Sequence, residues 1–263
     1  MIYLTGDIHG DVSRFSKKRF KEQENMSRDD YVIILGDFGV IWDQNVSGEE
    51  KYNLDILESK SYTTLFIDGN HENHDRLNSF PVKEWHGGNV HEIRSNVFHL
   101  MRAQIYTIAG RTFFTFGGAA SHDIQGCATM EERAKDYTAG ILRRDDPRFV
   151  EKIRHCKRHF LDYRIEGETW WRSEMPSKDE LKAGVEKLDE VEWKVDYVLT
   201  HECPTSTLYE FSDGALPADR LTEYFENIKR KLDYTGWYSG HHHDDIAVSE
   251  KDIVLYCRMH RLI

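Results

Sequence analysis

The sequence has little of three features that would assign it to particular classes of protein: paired cysteines, long apolar runs and positive charge. Its four cysteines show no Cys-x-x-Cys spacing, which favours reduced thiols over a disulfide framework. The longest apolar runs, such as Tyr31 to Leu35, are too short to span a bilayer. No secretory signal precedes Asp7, so we expect a cytoplasmic protein without a membrane partner.

The charge balance argues against one class of partner. The chain has 35 lysines and arginines against 46 acidic residues, a net charge of −11. Such a chain lacks the general positive field that broad binding to nucleic acid requires, although nucleic acid stays open as a substrate. Phosphate substrates remain compatible, because two bound divalent cations would reverse the sign of the charge locally. Among phosphate substrates, the charge favours a small or nucleotide-like one.

What the sequence does contain is a series of polar clusters placed just after apolar runs. The first is Gly6-Asp7-Ile8-His9-Gly10, which follows the predicted strand Met1 to Leu4. Side chains two apart in an extended chain project to the same side, so Asp7 and His9 lie together. A carboxylate and an imidazole are two ready ligands for a divalent metal, although such a pair alone is as often structural.

Two more apolar runs end in the same way. The buried-strand pattern of residues 31–35 leads into Gly36-Asp37, and that of residues 63–67 leads into Asp68-Gly69-Asn70-His71-Glu72. Predicted helices at 11–24 and 49–59 separate the three strands, which indicates βαβ crossovers and a mainly parallel sheet. Ligands of such sheets bind at the carboxyl ends of the strands, where all these polar residues fall.

The middle of the chain changes character. Segments 97–100, 104–109 and 112–116 are short and β-type, and Ala109-Gly110-Arg111 resembles a hairpin turn, so we expect an antiparallel meander that forms a second sheet. Residues 117–123 close that run with a glycine-rich polar loop. We expect a single domain over residues 1–263, with a helical insertion at about 126–176.

One helix of the predicted insertion is basic. It begins at Asp145-Asp146-Pro147, with Pro147 at the first helical position, and its apolar face is Phe149, Ile153, Cys156 and Phe160. Residues 141–160 hold seven Lys/Arg against three acids. Four of these cations are predicted to bind substrate, although a solvated face is an equal alternative: Arg143, Arg144, Lys157 and Arg158.

The last third of the chain repeats the strand-end pattern. Ser177 and Glu180 form a capping box that opens a helix, and strand 195–200 ends at His201. A helix at 217–232 leads to Trp237-Tyr238-Ser239 and then to Gly240-His241-His242-His243. In this extended segment His241 and His243 share one side while His242 points away. Ile253 to Met259 is predicted to be a closing strand.

Taken together, the clusters offer nitrogen and oxygen ligands without cysteine. Such ligands suit Mn, Fe, Zn or related divalent ions and do not resemble a structural thiolate site. Seven ligands are too many for one metal and suit two that share a bridging carboxylate, as in two-metal phosphoryl transfer. The seven candidates are Asp7, His9, Asp37, Asn70, His201, His241 and His243.

These blocks resemble the calcineurin-like metallophosphoesterase superfamily, whose motifs occur here in the family's order from residue 6 to residue 243. The resemblance implies an α/β fold, a four-layer α/β/β/α sandwich of two mixed sheets flanked by helices. It implies a first metal held by Asp7, His9 and His243 and a second held by Asn70, His201 and His241, with Asp37 bridging. Manganese is favoured, with Fe, Zn, Ni or Co as alternatives. Metal-activated water would attack phosphorus, and His71 would protonate the leaving group.

The second block departs from the Ser/Thr protein phosphatases of the superfamily. Where those enzymes have Gly-Asp-x-Val-Asp-Arg-Gly, this chain has Gly36-Asp37-Phe38-Gly39-Val40-Ile41-Trp42. The aspartate that steadies the catalytic histidine and the arginine that grips phosphate are therefore missing at those positions. The resemblance leaves phosphatase and phosphodiesterase open. A non-catalytic metal-binding scaffold of the same fold is the alternative, although every expected ligand is present.

Several residues near the motifs support two readings each. Glu72 and Asp75 could orient His71 or be exposed loop carboxylates. His122 and Asp123 lie in a strand-end loop and could contact the site. Trp170-Trp171 favours packing of the insertion over a platform for stacking bases.

Overall fold

The computed structural model describes residues 1–263, and thirteen short strands form its framework. The first six are β1 Ile2–Thr5, β2 Tyr31–Leu35, β3 Thr63–Ile67, β4 Val82–Trp85, β5 Gly88–Arg94 and β6 Val97–Leu100. The other seven are β7 Gln104–Ile108, β8 Arg111–Phe116, β9 Tyr197–Thr200, β10 Gly236–Ser239, β11 Ile246–Ala247, β12 Asp252–Val254 and β13 His260–Arg261.

The strands form two mixed sheets. The seven-stranded sheet has the order β13-β1-β2-β3-β6-β5-β4, and β1, β2, β3 and β6 run parallel. The six-stranded sheet has the order β11-β12-β10-β9-β8-β7, with β12, β10, β9 and β8 parallel. The predicted parallel arrangement of β1, β2 and β3 is therefore confirmed.

Seven α-helices and several 3₁₀ turns cover the sheets. The helices are α1 Gly48–Glu58, α2 His74–Leu77, α3 Met130–Lys135, α4 Phe149–His159, α5 Lys178–Glu190, α6 Thr205–Ser212 and α7 Arg220–Lys229. Side-chain caps begin most of the longer ones, and the capping box of Ser177 and Glu180 at α5 is present as predicted. No helix combines the length and apolar character that crossing a membrane requires.

Three hydrophobic cores separate four layers. Alternate residues of β2 show this directly: Val32 and Ile34 face Leu54 and Leu57 of α1, whereas Ile33 faces the other sheet. The second core, between the two sheets, joins residues such as Leu65, Tyr106 and Leu199. The third packs the outer face of the six-stranded sheet against Leu188 of α5 and Phe225 of α7. The α/β/β/α sandwich is therefore confirmed.

Several predicted elements differ from the structure. Residues 11–24 form two 3₁₀ turns, Val12–Phe15 and Lys21–Asn25, instead of one helix. β6 belongs to the first sheet, parallel to β3, so the meander predicted for 97–116 is wrong; only β7 and β8 form the hairpin, with both turn residues at positive φ. The predicted strand 253–259 is broken, because the Asp245 carboxylate accepts the backbone N–H groups of residues 256–258.

The insertion also departs from its predicted details. α4 begins at Phe149, two residues after Pro147, and Asp146 accepts a hydrogen bond from the backbone N–H of Arg148. Phe160 adopts a left-handed conformation that ends the helix, and it is 94% exposed, so it is not part of the apolar face. Trp170 and Trp171 are buried, which confirms their packing role.

Candidate metal centre

The parallel strands of both sheets deliver their polar loops to one edge of the molecule, and glycines permit close contact there. Gly36 has a φ of +90°, and a Cβ on it would lie 2.1 Å from Nδ1 of His201. A Cβ on Gly69 would lie 2.1 Å from Oδ1 of Asp37. No side chain fits at either position, so the two loops bring the site residues into contact only because glycine occupies both.

Four non-glycine residues of the site have left-handed backbone conformations. His9, Asp37, His241 and His243 have φ values between 45° and 68°. This conformation costs energy for residues with a Cβ, and surrounding structure must hold it in place. Such strain concentrates at functional sites, and here it coincides with four of the predicted metal ligands.

One group of these side chains converges on a single point. The side-chain ligand atoms of Asp7, His9, Asp37 and His243 all lie within 4.8 Å of one another. The Nε2 atoms of His9 and His243 are 3.0 Å apart, and Oδ2 of Asp7 lies 3.1 Å from Nε2 of His243. Asp7 and Asp37 are buried, whereas the two histidines reach solvent. Two carboxylates and two imidazoles therefore share one half-open site.

The arrangement fits a divalent cation. Two ring nitrogens about 3 Å apart match neighbouring ligands on a metal whose bonds to nitrogen are about 2.1 Å long. Oδ2 of Asp7 is buried and forms no well-aligned hydrogen bond, although Nε2 of His243 lies 3.1 Å away, and an unsatisfied buried oxygen is costly. Two buried carboxylates so close together also need compensating positive charge. The residues present thus fit a metal ion, which would satisfy this oxygen and balance the two carboxylates.

A second group lies on the other side of Asp37. Nε2 of His201 is 3.3 Å from Oδ1 of Asp37 and 3.2 Å from Oδ1 of Asn70. Although burial favours the neutral ring, Asp37 and Asp7 raise the pKa of His201 to about 10. That shift reflects an excess of negative charge, which a bound cation would neutralise in place of the proton.

His241 adjoins this second group from the opposite loop. Its ring contacts that of His201, with 4.9 Å between ring centroids, and its Nε2 lies 2.9 Å from Nε2 of His122. Burial, opposed in part by Glu202, lowers the pKa of His241 to about 3, so the ring is neutral and able to bind a metal. His122, for which sequence left two readings, does contact the site.

His71 lies at the border of both groups. Its backbone N–H donates a hydrogen bond of 2.7 Å to Oδ1 of Asp37, and its ring stacks on Trp42 at a centroid distance of 5.9 Å. Neither acid suggested by sequence orients the ring. Glu72 is buried and accepts the backbone N–H groups of Phe38 and Gly39, and Asp75 accepts from the indole of Trp171.

The chain matches the family model described as calcineurin-like phosphoesterase over residues 1–245. The protein belongs to this family. The family is metal-dependent, and membership supports hydrolysis of phosphoesters by this chain. No match is found among curated proteins.

In this calcineurin-like phosphoesterase, the side chain of Asn70 is held in position by two buried residues that the sequence did not single out, Ser121 and Glu174. The Asn70 amide donates from Nδ2 to Oγ of Ser121 at 3.2 Å, and that hydroxyl donates to Oε2 of Glu174. The backbone N–H of Ser121 also donates to Glu174 at 3.0 Å. This chain of hydrogen bonds directs Oδ1 of Asn70 toward His201. Glu174 lies 53 positions after Ser121, so no local spacing could have linked them.

A third supporting residue, Glu202, lies behind the histidine loop. Its buried carboxylate is 2.9 Å from Nε2 of His242 and 3.6 Å from Nε2 of His241. His242 therefore faces Glu202, but the segment is not extended as predicted, because His241 and His243 have left-handed backbone conformations. Cys203 is next to this pair, with its Sγ 3.6 Å from Nε2 of His242.

The predicted substrate-binding cations lie apart from these groups. Arg143 forms an ion pair of 2.6 Å with Glu166, and Arg144 pairs with Glu168. Lys157 and Arg158 are exposed on α4 and line none of the larger cavities beside the site. The insertion reaches the site through other residues. Arg164 pairs with Asp123, and Trp171 packs edge-on against Trp42 at 5.6 Å.

Proposed function

We propose that this protein is a dinuclear-metal-dependent hydrolase of phosphate mono- or diesters. The convergence of Asp7, His9, Asp37 and His243 on one point carries the proposal. Asp7, His9 and His243 would hold one ion, and Asn70, His201 and His241 the other. Asp37 lies between the two groups and would contact both. Nitrogen and oxygen ligands of this kind suit Mn²⁺, with Fe, Zn, Ni or Co as alternatives.

The bound metals and the protein side chains would have different roles in the reaction. Two bound divalent ions supply Lewis-acid activation of the phosphoryl group and of the attacking water. His71 donates a proton to the oxygen of the leaving group, as general acid. The stacking of its ring on Trp42 and the bond from its backbone to Asp37 hold it beside the metal groups. The positions of Ser121, Glu174 and Glu202 support roles in orienting the ligands.

The substrate class follows from charge and from the shape of the site. With a net charge of −11, the protein has no general attraction for long polyanions, which favours a small or nucleotide-like phosphoester. A shallow cavity of about 300 Å³ next to His9 and His71 is large enough for a phosphate with a small substituent. The protein acts in this proposal as one domain, with the insertion at about 126–176 beside its site.

A direct assay tests the function. Protein stripped of metal by a chelator should hydrolyse neither 4-nitrophenyl phosphate nor bis(4-nitrophenyl) phosphate, and added Mn²⁺ should restore hydrolysis of at least one. The ratio of the two rates assigns monoesterase or diesterase activity. If no phosphoester is hydrolysed with any of the five metals, the fold is a binding scaffold and the proposal is wrong.

A further inference from the structure

A cleft of about 1060 Å³ lies where the insertion meets the body of the protein. Its walls come from the loop after β8, from both ends of the insertion, and from the segment before α7. It is the largest of the cavities near the site and offers room for a ligand much larger than phosphate.

The cleft adjoins the metal centre. His122 lines it, and this side chain lies 2.9 Å from His241. Ser121, which lines it as well, is the hydrogen-bond partner of Asn70. On the side of His71, Trp171 forms part of the wall and packs against Trp42. A phosphoester held at the metal groups can therefore extend its remaining part into this cleft.

Three arginines and four acids line the cleft, and the arginines differ from most of the acids in how they are paired. All four of its acids have partners within the protein: Asp75 accepts from Trp171, Glu166 pairs with Arg143, Glu180 pairs with Arg102, and Asp219 caps α7. Three arginines that line the cleft, Arg133, Arg172 and Arg220, form no ion pair. A free guanidinium in a cleft is suited to bidentate binding of a phosphate or carboxylate.

One aromatic ring adds to this surface. Tyr137 lines the cleft and is 40% exposed. Burial raises the pKa of its hydroxyl, and Arg172 and Arg220 lie close enough to oppose that rise. Its ring gives the leaving group an apolar contact beside the cations. The cleft thus combines an aromatic surface with cations. Together they suit a molecule that has a flat or apolar part and an extra negative charge.

We infer that this cleft binds the leaving-group side of a phosphoester that carries a second anionic group. The inference rests on the proposed phosphoesterase function and specifies its substrate class. Arg133 and Arg172 bind the second anion, with Arg220 at the far wall. Arg143 and Arg144, two of the four cations for which the sequence left substrate binding and a solvated face as equal alternatives, form ion pairs with Glu166 and Glu168.

A matched pair of substrates tests the inference on the manganese-loaded protein. Adenosine 3′,5′-bisphosphate and adenosine 5′-monophosphate differ only in the second phosphate. The wild type should have the lower KM for the bisphosphate. The double variant Arg133→Gln/Arg172→Gln should raise that KM about tenfold to hundredfold, because hydrogen bonds to charged groups contribute this much, and should change the KM for the monophosphate far less. Arg220 is left in place because it also donates to the carbonyl of Pro176.

The matched control is Arg154→Gln, which removes an exposed, unpaired arginine on α4 outside the cleft and should alter neither KM. If the double variant changes the KM for both substrates equally, or changes neither, the inference is wrong. Hydrolysis of 4-nitrophenyl phosphate in the same protein would show that the proposed function still holds. If no ester is hydrolysed, the proposed function fails. Calorimetry then measures binding of the bisphosphate directly. Binding that is lost in the double variant but kept in the control would still support the cleft as an anion-binding site. Absence of binding to the wild type would overturn the inference.

Discussion

The importance of His71 should depend on how poor the leaving group is. A general acid contributes roughly 10²–10⁴-fold, and it contributes most where the departing oxygen is strongly basic. His71→Ala should therefore slow hydrolysis of an alkyl phosphoester by about that factor and slow hydrolysis of a 4-nitrophenyl ester much less. Steady-state rates for the two esters measure the difference. Equal losses on both would mean that His71 only shapes the loop.

Ser121 should influence metal binding without being a ligand. Its hydroxyl is the acceptor for the Asn70 amide, so Ser121→Ala leaves that amide free to rotate and removes one of the two hydrogen bonds from Ser121 to the buried Glu174 carboxyl. Loss of such a supporting hydrogen bond typically costs about 10–100-fold in metal affinity. Calorimetric titration with Mn²⁺ measures the change. Ser121→Thr keeps the hydroxyl and should retain affinity; unchanged affinity in the alanine variant would show that Asn70 is oriented by other contacts.

The elements of the fold were predictable where a local pattern determines them. β2 is a continuous apolar run and β3 ends in one, both strands are buried along their whole length, and the hairpin of β7 and β8 has its glycine turn. β4 was missed because it is an exposed edge strand whose residues 82–85 show no apolar alternation. The sheet to which β6 belongs depends on its pairing with β3, a contact that no local spacing reveals.

At the site, too, residues marked by a local motif could be predicted, and residues that depend on a long-range contact could not. Asp7, His9, Asp37 and His243 could be predicted because each falls directly after an apolar run or within a short motif. Glu174 could not be, since its role depends on a contact with Ser121 across the interface between insertion and body. The two tryptophans just before Glu174 were a signal that this segment is buried, but they did not indicate what it touches.

The segment that carries Glu174 should make stability depend on pH. Burial raises the pKa of Glu174 to about 7, from an ordinary value of 4.5. Between these values the folded state keeps a proton that the unfolded state loses, so the free energy of unfolding falls as pH rises from 4.5 to 7, by about 3 kcal/mol from this residue. Relative to wild type, Glu174→Gln should gain stability over this range.

Denaturant unfolding at pH 5 and pH 8 measures that gain. Glu223→Gln, which changes an exposed carboxylate on α7, serves as the control and should follow wild type at both pH values. A Glu174→Gln variant with the wild-type pH dependence would show that this carboxyl is ionised in the folded protein.

The molecule as a whole places two sheets so that their parallel strands end at one edge. Asp7, Asp37 and Asn70 come from the first sheet, and His201 and His241 from the second. The site therefore forms only when the sheets are packed together, through the core that includes Leu65 and Leu199. A ligand that binds only this folded arrangement stabilises it, by about 2.7 kcal/mol at 100 times its dissociation constant.

Metal stoichiometry in wild type and Asp37→Asn tests this account most directly. Asp37 is buried between the two groups, and asparagine keeps its size while removing its charge. Chelator-treated wild type should bind two Mn²⁺ per chain and regain hydrolysis of 4-nitrophenyl phosphate as they bind. Asp37→Asn, folded by circular dichroism, should bind both ions more weakly and hydrolyse the ester several orders of magnitude more slowly. Full activity in the chelated wild type, or wild-type metal binding and turnover in Asp37→Asn, would contradict the dinuclear site.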